Sequence, residues 1–341
     1  MKTLLLYLIF VSSLLNAGCF SSSVTYQDTR FIMDTTVQIN AFGAQTPELQ
    51  TAVSKAFSYF QTIADQTNRY EDASPHGLYQ LNAHAGQGFF PVDRHVFRLA
   101  QFAQEQPFPD FEITLGPVID LWRQHGITKT VPSETELQTA LALTGKNKME
   151  LTFEGDSLAL ATGSSLDLGA IAKGYAVDGA AAVLAQNQNV TAALINAGGN
   201  IKAIGTKTDG KPWRIALQDP RQPQANLGVF LIQDGEALAT SGDYQRYYEV
   251  DGKRYHHLLN PQDGLPARHT ISVTIVNKSA LMADYYSTLL FVLPPTAAIA
   301  LAAERQLDIV LVTAQKTVYI SPALRPRFES NLQGDYTYAQ E

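Results

Sequence analysis

The spacing of apolar residues predicts helices and strands in mixed order along the chain. Helical spacing recurs in six segments, at residues 47–63, 93–104, 132–143, 171–186, 279–292 and 296–305. Strand-like patterns mark residues 31–42, 191–195 and 309–320, and Gly155-Asp156 and Asp251-Gly252 carry the Gly/Asp signal of hairpin turns. Because helices and strands follow no regular βαβ rhythm, the pattern predicts an α+β fold.

Less regular segments connect these elements. Residues 68–88 are polar and interrupted by Pro75 and Gly77, which predicts a loop-rich region. The last twenty residues are polar and contain prolines, so we expect them to be peripheral. The helix over 132–143 carries its own start signal, since Ser133 and Glu136 have the spacing of a capping box.

The N-terminus has the pattern of an export signal. Lys2 precedes an apolar run, Leu4–Leu15, that is too short to span a bilayer comfortably. The run ends in Leu14-Leu15-Asn16-Ala17-Gly18-Cys19, which resembles a bacterial lipoprotein signal with the lipidated cysteine as the mature N-terminus. The alternative is an ordinary cleaved secretory signal with an incidental cysteine.

This signal predicts the organisation of the whole chain. We expect a signal peptide over residues 1–18, lipidation of Cys19, a polar tether over 19–27 and a single domain over 28–341. The protein would then lie in a bacterial cell envelope, lipid-anchored and facing the periplasm. No later segment has eighteen uninterrupted apolar residues, so the lipid would be its only membrane attachment.

Composition narrows the possible chemistry. The 341 residues are 45% hydrophobic and 17% charged, which is typical of a globular protein. The net charge of −7 argues against a nucleic-acid partner. Cys19 is the only cysteine, so the domain after it has no disulfide, thiolate nucleophile or zinc–thiolate site.

Three segments could carry chemistry. In the first, residues 166–175, Asp167 and Gly169 precede a helix whose first turn contains Lys173. A helix N-terminus with a lysine suits a phosphate group, although the Walker spacing is absent. Taken by itself, the segment is more typical of a capped helix with a solvated lysine.

The second segment contains two adjacent histidines. Thr240-Ser241-Gly242-Asp243-Tyr244 is followed by Tyr255–Gly264, in which His256 and His257 alternate faces on a strand. Only one of them can point into a given cleft, and His257 could act as a general base there. A hydrogen-bonded structural histidine is an equally good interpretation of this segment alone.

The third segment is the helix around Ala283-Asp284-Tyr285-Tyr286-Ser287-Thr288. Asp284 and Thr288 are four residues apart and therefore share a helix face. A carboxylate and a hydroxyl are hard oxygen ligands of the kind that Mg²⁺ prefers. Without further context, a helix with an N-terminal carboxylate and a threonine bonded to a backbone carbonyl is favoured.

Together the segments resemble the ApbE family, the FAD:protein FMN transferases. The resemblance covers about residues 28 to 320 and rests on six motifs in the same order as in that family. They are Met33-Asp34-Thr35, Asp167 to Tyr175, Gly198-Gly199-Asn200, Ser241 to Tyr244, His257 to Gly264 and Ala283 to Thr288. Six motifs in register outweigh the separate structural interpretations of each segment.

The resemblance implies a fold and an activity. The fold would have mixed or antiparallel sheets, flanking helices and two intimate lobes around a flavin cleft. The activity would transfer FMN from FAD to a Thr or Ser hydroxyl of an exported or membrane redox protein, with release of AMP and dependence on Mg²⁺. Two alternatives are a Mg²⁺-dependent FAD pyrophosphatase on the same scaffold and a non-catalytic flavin-binding lipoprotein.

The resemblance also implies site residues. His257 would be the general base, and the metal ligands would be Asp284, Thr288 and the backbone carbonyl of Ala170. The FAD contacts would be Met33, Tyr70, Asp110, Phe111, Glu112, Asp167, Lys173 and Leu258.

The sequence departs from the family pattern at three places. Asp34 replaces a glycine, Asn260 replaces an aspartate, and Tyr285-Tyr286 replace smaller residues. None of these positions is an assigned base or metal ligand, so we expect the departures to affect flavin affinity and substrate range.

Overall fold

A computed structural model describes residues 23–207 and 209–339; the predicted lipidation site, Cys19, and the signal peptide lie outside them. The strands are β1 (Val24–Ile32), β2 (Thr35–Gly43), β3 (Phe89–Pro91), β4 (Met149–Thr152), β5 (Ser157–Leu160), β6 (Val190–Ala197), β7 (Asn200–Gly205), β8 (Trp213–Gln218), β9 (Asn226–Ile232), β10 (Ala237–Gly242), β11 (Tyr247–Val250), β12 (Lys253–His256), β13 (Thr270–Asn277), β14 (Asp308–Thr313), β15 (Thr317–Ile320), β16 (Phe328–Ser330) and β17 (Thr337–Tyr338).

The helices pack around these strands. They are α1 (Thr46–Thr67), α2 (Leu78–Ala83), α3 (Arg94–Glu105), α4 (Gly116–Thr128), α5 (Glu134–Leu141), α6 (Ala172–Ala185), α7 (Ala280–Val292) and α8 (Pro295–Glu304). Within the described ranges, none of the helices has both the length and the apolar character needed to cross a membrane.

One large sheet organises the fold. Its strand order is β1-β2-β6-β7-β10-β13-β14-β15-β17, and every neighbouring pair is antiparallel except β15 and β17. Smaller sheets have the orders β16-β9-β8, β3-β5-β4 and β11-β12. The predicted α+β class with mixed or antiparallel sheets is therefore confirmed.

The two faces of the large sheet bury different layers. On one face, α1 and α6 pack against strand residues such as Ile39 and Ile195, and α7 packs against β10 and β13. On the other face, the β16-β9-β8 sheet contributes Trp213, Phe230 and Phe328. Apolar residues alternate between the faces because successive strand side chains point in opposite directions.

Helices α6 and α7 approach each other unusually closely. A Cβ atom on Gly174 would lie 2.3 Å from the Ala280 carbonyl oxygen and 2.7 Å from the Asp284 Cβ, so only glycine fits there. Asp178 on α6 accepts hydrogen bonds from the backbone N–H groups of Ala280 at 2.9 Å and Leu281 at 3.0 Å. These contacts cap the N-terminus of α7 and fix its position along α6.

The prediction of a single strand over 31–42 is wrong, as is the predicted extent of the tether. The chain turns at Met33 and Asp34, and β1 begins at Val24, inside the predicted tether. Both turn residues have positive φ, 56° and 55°, which supports a tight turn between β1 and β2. The turn could not be predicted from the sequence because it lacks glycine. The sequence of β1 resembles a linker because β1 is a largely exposed edge strand.

Two further expectations also differ from the structure. The predicted loop-rich region over 68–88 contains the short helix α2. The described part of the C-terminal tail, predicted to be peripheral, instead buries Leu324, Phe328 and Tyr336 against the β8–β9 layer. In contrast, the two predicted hairpins, β4–β5 and β11–β12, and the capping box at Ser133 are confirmed.

Candidate active site

A cavity of about 920 Å³ lies between the β1–β2 turn, the N-terminus of α6, helix α7 and the segment after β12. The predicted site residues within the described ranges all line it: Met33, Tyr70, Asp110, Phe111, Glu112, Asp167, Ala170, Lys173, His257, Leu258, Asp284 and Thr288. The structure thus brings together residues that are up to 255 positions apart in the sequence (288 − 33).

Helix α7 supplies the carboxylate side of the cavity. Asp284 is 5% exposed, and its Oδ2 accepts a hydrogen bond from the Gly174 N–H at 2.9 Å. One turn further along, the Thr288 hydroxyl lies 3.3 Å from that of Ser241. The Ser287 hydroxyl donates to the Asp284 carbonyl at 2.9 Å and lies 2.9 Å from the Ser241 hydroxyl. Asp284 and Thr288 therefore face the cavity from a rigid, hydrogen-bonded helix.

The protein provides little positive charge to balance the buried Asp284 carboxylate. Burial raises its pKa, while Lys173, the Gly174 N–H and Asn200 act in the opposite direction. Among the described residues no ion pair forms with Asp284. A buried carboxylate without a paired cation is costly, so the donor set suits a bound cation.

The kind of cation follows from the available ligands. Within the described part of the chain, no group of three or more His, Cys, Asp or Glu side chains could hold a metal ion. An ion at Asp284 would therefore share one carboxylate with neutral oxygens such as the Thr288 hydroxyl and the Ala170 carbonyl. Mg²⁺ tolerates such a small protein share because it keeps several waters, so these residues fit it.

The N-terminus of α6 differs from the sequence-based expectation. Its Gly174 N–H is not free for a phosphate, because it binds the Asp284 carboxylate. Asp167 accepts from the Gly169 N–H at 2.8 Å, and the Lys173 ammonium donates to the Gly169 carbonyl at 3.1 Å. Lys173 therefore supplies the formal positive charge at this edge of the cavity.

The sequence did not single out Arg69, which organises the neighbouring wall. Its almost fully buried side chain pairs with Asp120 at 2.7 Å and with Asp167 at 3.5 Å. Tyr70 is 41% exposed, and the guanidinium carbons of Arg69 and Arg123 lie 5.0 Å and 4.4 Å from its ring centroid. These two cation–π contacts hold the partly exposed Tyr70 ring at the cavity wall.

The departure at Tyr285 has a structural role. This buried ring packs edge-on against Phe111, with centroids 4.7 Å apart, and against Phe102 at 5.5 Å. The Glu112 carboxylate accepts the Thr114 N–H at 2.9 Å, which holds the same loop. Tyr285 thus connects the carboxylate-bearing helix to the loop that carries Phe111 and Glu112.

The two histidines have different environments, and His257 lies just after the end of β12. His256 is buried, and its Nε2 lies 2.6 Å from the Ala267 carbonyl oxygen. His257 is half-buried at the cavity, and the Arg246 carbonyl oxygen lies 3.1 Å from its Nδ1. A carbonyl partner requires Nδ1 to carry the proton, so the lone pair of the neutral ring is on Nε2.

The surroundings keep His257 neutral. Burial lowers its pKa to about 3, and the charges of Arg246 and Lys173 act in the same direction. The imidazole is therefore unprotonated at neutral pH and can accept a proton at Nε2. Nearby anions would raise this pKa, because they stabilise the protonated ring.

Comparisons with known proteins identify the family of this chain. Residues 33–311 match the model of the ApbE family. The chain is 35% identical to an FAD:protein FMN transferase of Klebsiella pneumoniae over 80% of this chain and 89% of the relative. A Vibrio cholerae protein of the same name is 31% identical over 88% and 91% of the two chains.

Solved structures give the same result. The ApbE protein of Thermotoga maritima superimposes with a TM-score of 0.80 and 28% identity, covering 89% of this chain and 99% of that one. The apo flavinyl transferase ApbE of Pseudomonas stutzeri gives a TM-score of 0.77 and 30% identity, covering 91% and 98%. Agreement of sequence and fold over most of its length establishes that this chain belongs to the ApbE family.

Proposed function

We propose that this protein is an FAD:protein FMN transferase that moves FMN from FAD to a Thr or Ser hydroxyl of another protein and releases AMP. The observation that carries the proposal is one cavity lined by an unpaired buried carboxylate, Asp284, a lysine, Lys173, and a neutral imidazole, His257. Relatives that carry this name support it. Simple flavin binding would need no base beside an unpaired carboxylate.

The reaction assigns a task to His257. The acceptor hydroxyl oxygen attacks the phosphorus of the FMN half of FAD, a new P–O bond forms, and the P–O bond to AMP breaks. The hydroxyl proton moves to the His257 Nε2, and the Arg246 carbonyl holds the ring in the tautomer that can accept it. In-line geometry requires the acceptor and the leaving AMP on opposite sides of this phosphorus.

The residues that would hold Mg²⁺ are Asp284, Thr288 and the carbonyl of Ala170. When bound, the ion would neutralise charge on the pyrophosphate. Lys173 adds a second positive charge at the same edge of the cavity.

The remaining lining residues would bind FAD. Tyr70 offers an exposed ring for stacking on the flavin, while Met33, Leu258 and Phe111 supply apolar surface. Asp110, Glu112 and Asp167 offer carboxylate acceptors for N–H and hydroxyl groups of the cofactor.

The test is a direct assay of transfer. The purified protein is mixed with FAD, Mg²⁺ and an exported or membrane redox protein that carries a Thr/Ser motif. FMN mass on the acceptor, with an equal amount of AMP, is the expected result. Free FMN and AMP without modified protein would identify a pyrophosphatase, and FAD binding without any product would identify a flavin-binding protein.

We further propose that the protein is exported and lipid-anchored in a bacterial envelope through Cys19, which would place it near membrane or periplasmic redox acceptors. The motif at the end of the apolar run, Leu14–Cys19, supports this. Cys19→Ser should give an unprocessed or soluble product. The same soluble mature mass for both versions, measured on cell fractions, would contradict the anchor.

A further inference from the structure

A second cavity of about 590 Å³ adjoins the first and shares part of its lining, including His257. His257 and Arg246 line both cavities, whereas Asp284 and Thr288 line only the larger one. Of the predicted FAD contacts, only Tyr70 borders the smaller cavity. The smaller cavity therefore has access to the base but not to the proposed metal ligands.

Aromatic rings form one wall of this cavity. Tyr255 stacks on Trp122, with centroids 5.5 Å apart and planes at 25°, and on Tyr248, at 5.7 Å and 24°, and the Trp122 and Tyr248 centroids lie 6.4 Å apart, so the three rings form one cluster. The rings come from α4 and the β11–β12 hairpin, and the neighbouring Tyr247 is 46% exposed. Trp122 and Tyr255 are buried within the wall, so the more exposed rings, Tyr247 and Tyr248, are the ones that can contact the side chains of an extended peptide.

The charges around the smaller cavity differ from those of the whole chain. Three cations line it, Arg123, Lys129 and Arg246, against two carboxylates, Asp34 and Glu71, although the net charge of the protein is −7. Within the described ranges none of the three cations forms an ion pair. Two of them lie over aromatic rings: Arg123 is 4.4 Å from the Tyr70 centroid, and the Lys129 ammonium is 5.4 Å from that of Tyr248.

We propose that the smaller cavity binds an extended, acidic segment of the acceptor protein and delivers its Thr or Ser hydroxyl to His257. This inference rests on the transferase function proposed above. FAD and its metal would occupy the larger cavity, so the acceptor approaches from the side of the base, opposite the leaving AMP. Unpaired cations on an aromatic wall complement carboxylates that flank the reactive hydroxyl.

Two synthetic peptides test the proposal. Each has ten residues and one central threonine, flanked in one peptide by Asp and Glu and in the other by Lys. Peptide flavinylation is measured by mass after incubation with FAD and Mg²⁺. The wild-type protein should favour the acidic peptide in kcat/KM, and Lys129→Glu should lower that value about tenfold, as expected for reversing one contact charge.

The matched control is Lys55→Glu, which reverses an exposed lysine on α1 away from both cavities. It changes the net charge equally, so it should leave the acidic-peptide kcat/KM at the wild-type value. Raising the salt concentration should reduce the preference for the acidic peptide, because exposed charges are screened.

A membrane extract of the producing bacterium, incubated with the protein, FAD and Mg²⁺, reports transfer independently through flavin fluorescence on protein bands. If the extract is labelled but the peptides are labelled equally or not at all, the docking proposal is wrong and the transferase function stands. An equal loss for Lys55→Glu and Lys129→Glu also overturns it. If neither extract nor peptide is labelled, the transferase function fails, and the docking proposal with it.

Discussion

The two sides of the cavity are built in different ways. The carboxylate side consists of two helices, α6 and α7, that touch at Gly174 and are joined by the Asp178 cap. The base side consists of His257 after a two-stranded hairpin, held mainly through the Arg246 backbone. The difference indicates that two helices packed on the long sheet position the proposed metal ligands, whereas a small separate sheet, β11–β12, positions the base.

Electrostatics distinguishes the two sides in a complementary way. Burial raises the pKa of Asp284 and lowers that of His257, and both shifts favour the neutral form. For His257 neutrality is useful, since a base must be unprotonated. For Asp284 it is a cost, which a bound cation would offset. The comparison therefore predicts that removing the Asp284 charge lowers activity but raises the stability of the metal-free protein.

The largest effect should come from Asp284→Asn. The variant keeps an oxygen that can accept the Gly174 N–H but removes the formal charge assigned to the metal site. We expect metal-dependent turnover to fall by at least about 10³-fold, because charge stabilisation of the phosphoryl group is lost. A magnesium titration of AMP release measures this, with circular dichroism as the folding control. Normal magnesium dependence in the folded variant would remove Asp284 from the metal site.

On the base side, His257→Ala should slow transfer by about 10²–10⁴-fold, the usual contribution of a general base. FAD affinity, measured by quenching of flavin fluorescence, should change little because the His257 ring is not one of the proposed FAD contacts. A parallel loss of FAD affinity and rate would identify His257 as a binding residue instead. An unchanged rate would exclude it from the mechanism.

Gly174→Ala should weaken both the helix contact and the metal site. Its Cβ would force α6 from α7, which should cost about 1–3 kcal/mol in the free energy of unfolding and weaken magnesium activation several-fold. Gly179→Ala is the matched control, since it lies on the same helix and its Cβ would come equally close, at 2.1 Å, to a side chain outside α7, that of Tyr59. Urea unfolding and magnesium titrations compare the two. Equal magnesium affinity in both variants would show that this helix contact does not position the ligands.

The smallest effect concerns stability without metal. Because the folded-state pKa of Asp284 is raised, the wild-type protein loses stability as pH rises from the unfolded-state pKa to the folded-state pKa. Asp284→Asn should therefore have a Tm a few degrees above wild type at neutral pH, and the difference should disappear in acid, below the ordinary carboxyl range. Scanning fluorimetry with EDTA measures it. Saturating Mg²⁺ should reverse the order, and a lower Tm for the variant in EDTA would mean that the protein itself compensates the charge.

Local patterns in the sequence were sufficient to predict much of the carboxylate side of the cavity. The helices α6 and α7 follow from apolar spacing, and the four-residue interval places Asp284 and Thr288 on one face. The hairpin β11–β12 follows from Asp251-Gly252, whose positive φ angles of 49° and 71° match the turn signal. These features depend on residues a few positions apart, so they can be predicted from the sequence of this chain alone.

Other features were decided by tertiary structure. Nothing near Arg69 reveals that it pairs with Asp120 and Asp167, which lie 51 and 98 positions away (120 − 69 and 167 − 69). The turn at Met33 and Asp34 was hidden because residues with side chains adopt positive φ there, at a conformational cost that the surrounding structure must offset. The sequence motifs predicted the individual site residues but not how they are arranged in space. Only the packing of α4, the β11–β12 hairpin and the segment after α1 created a second cavity beside His257, because long-range contacts leave no periodic signal in the chain.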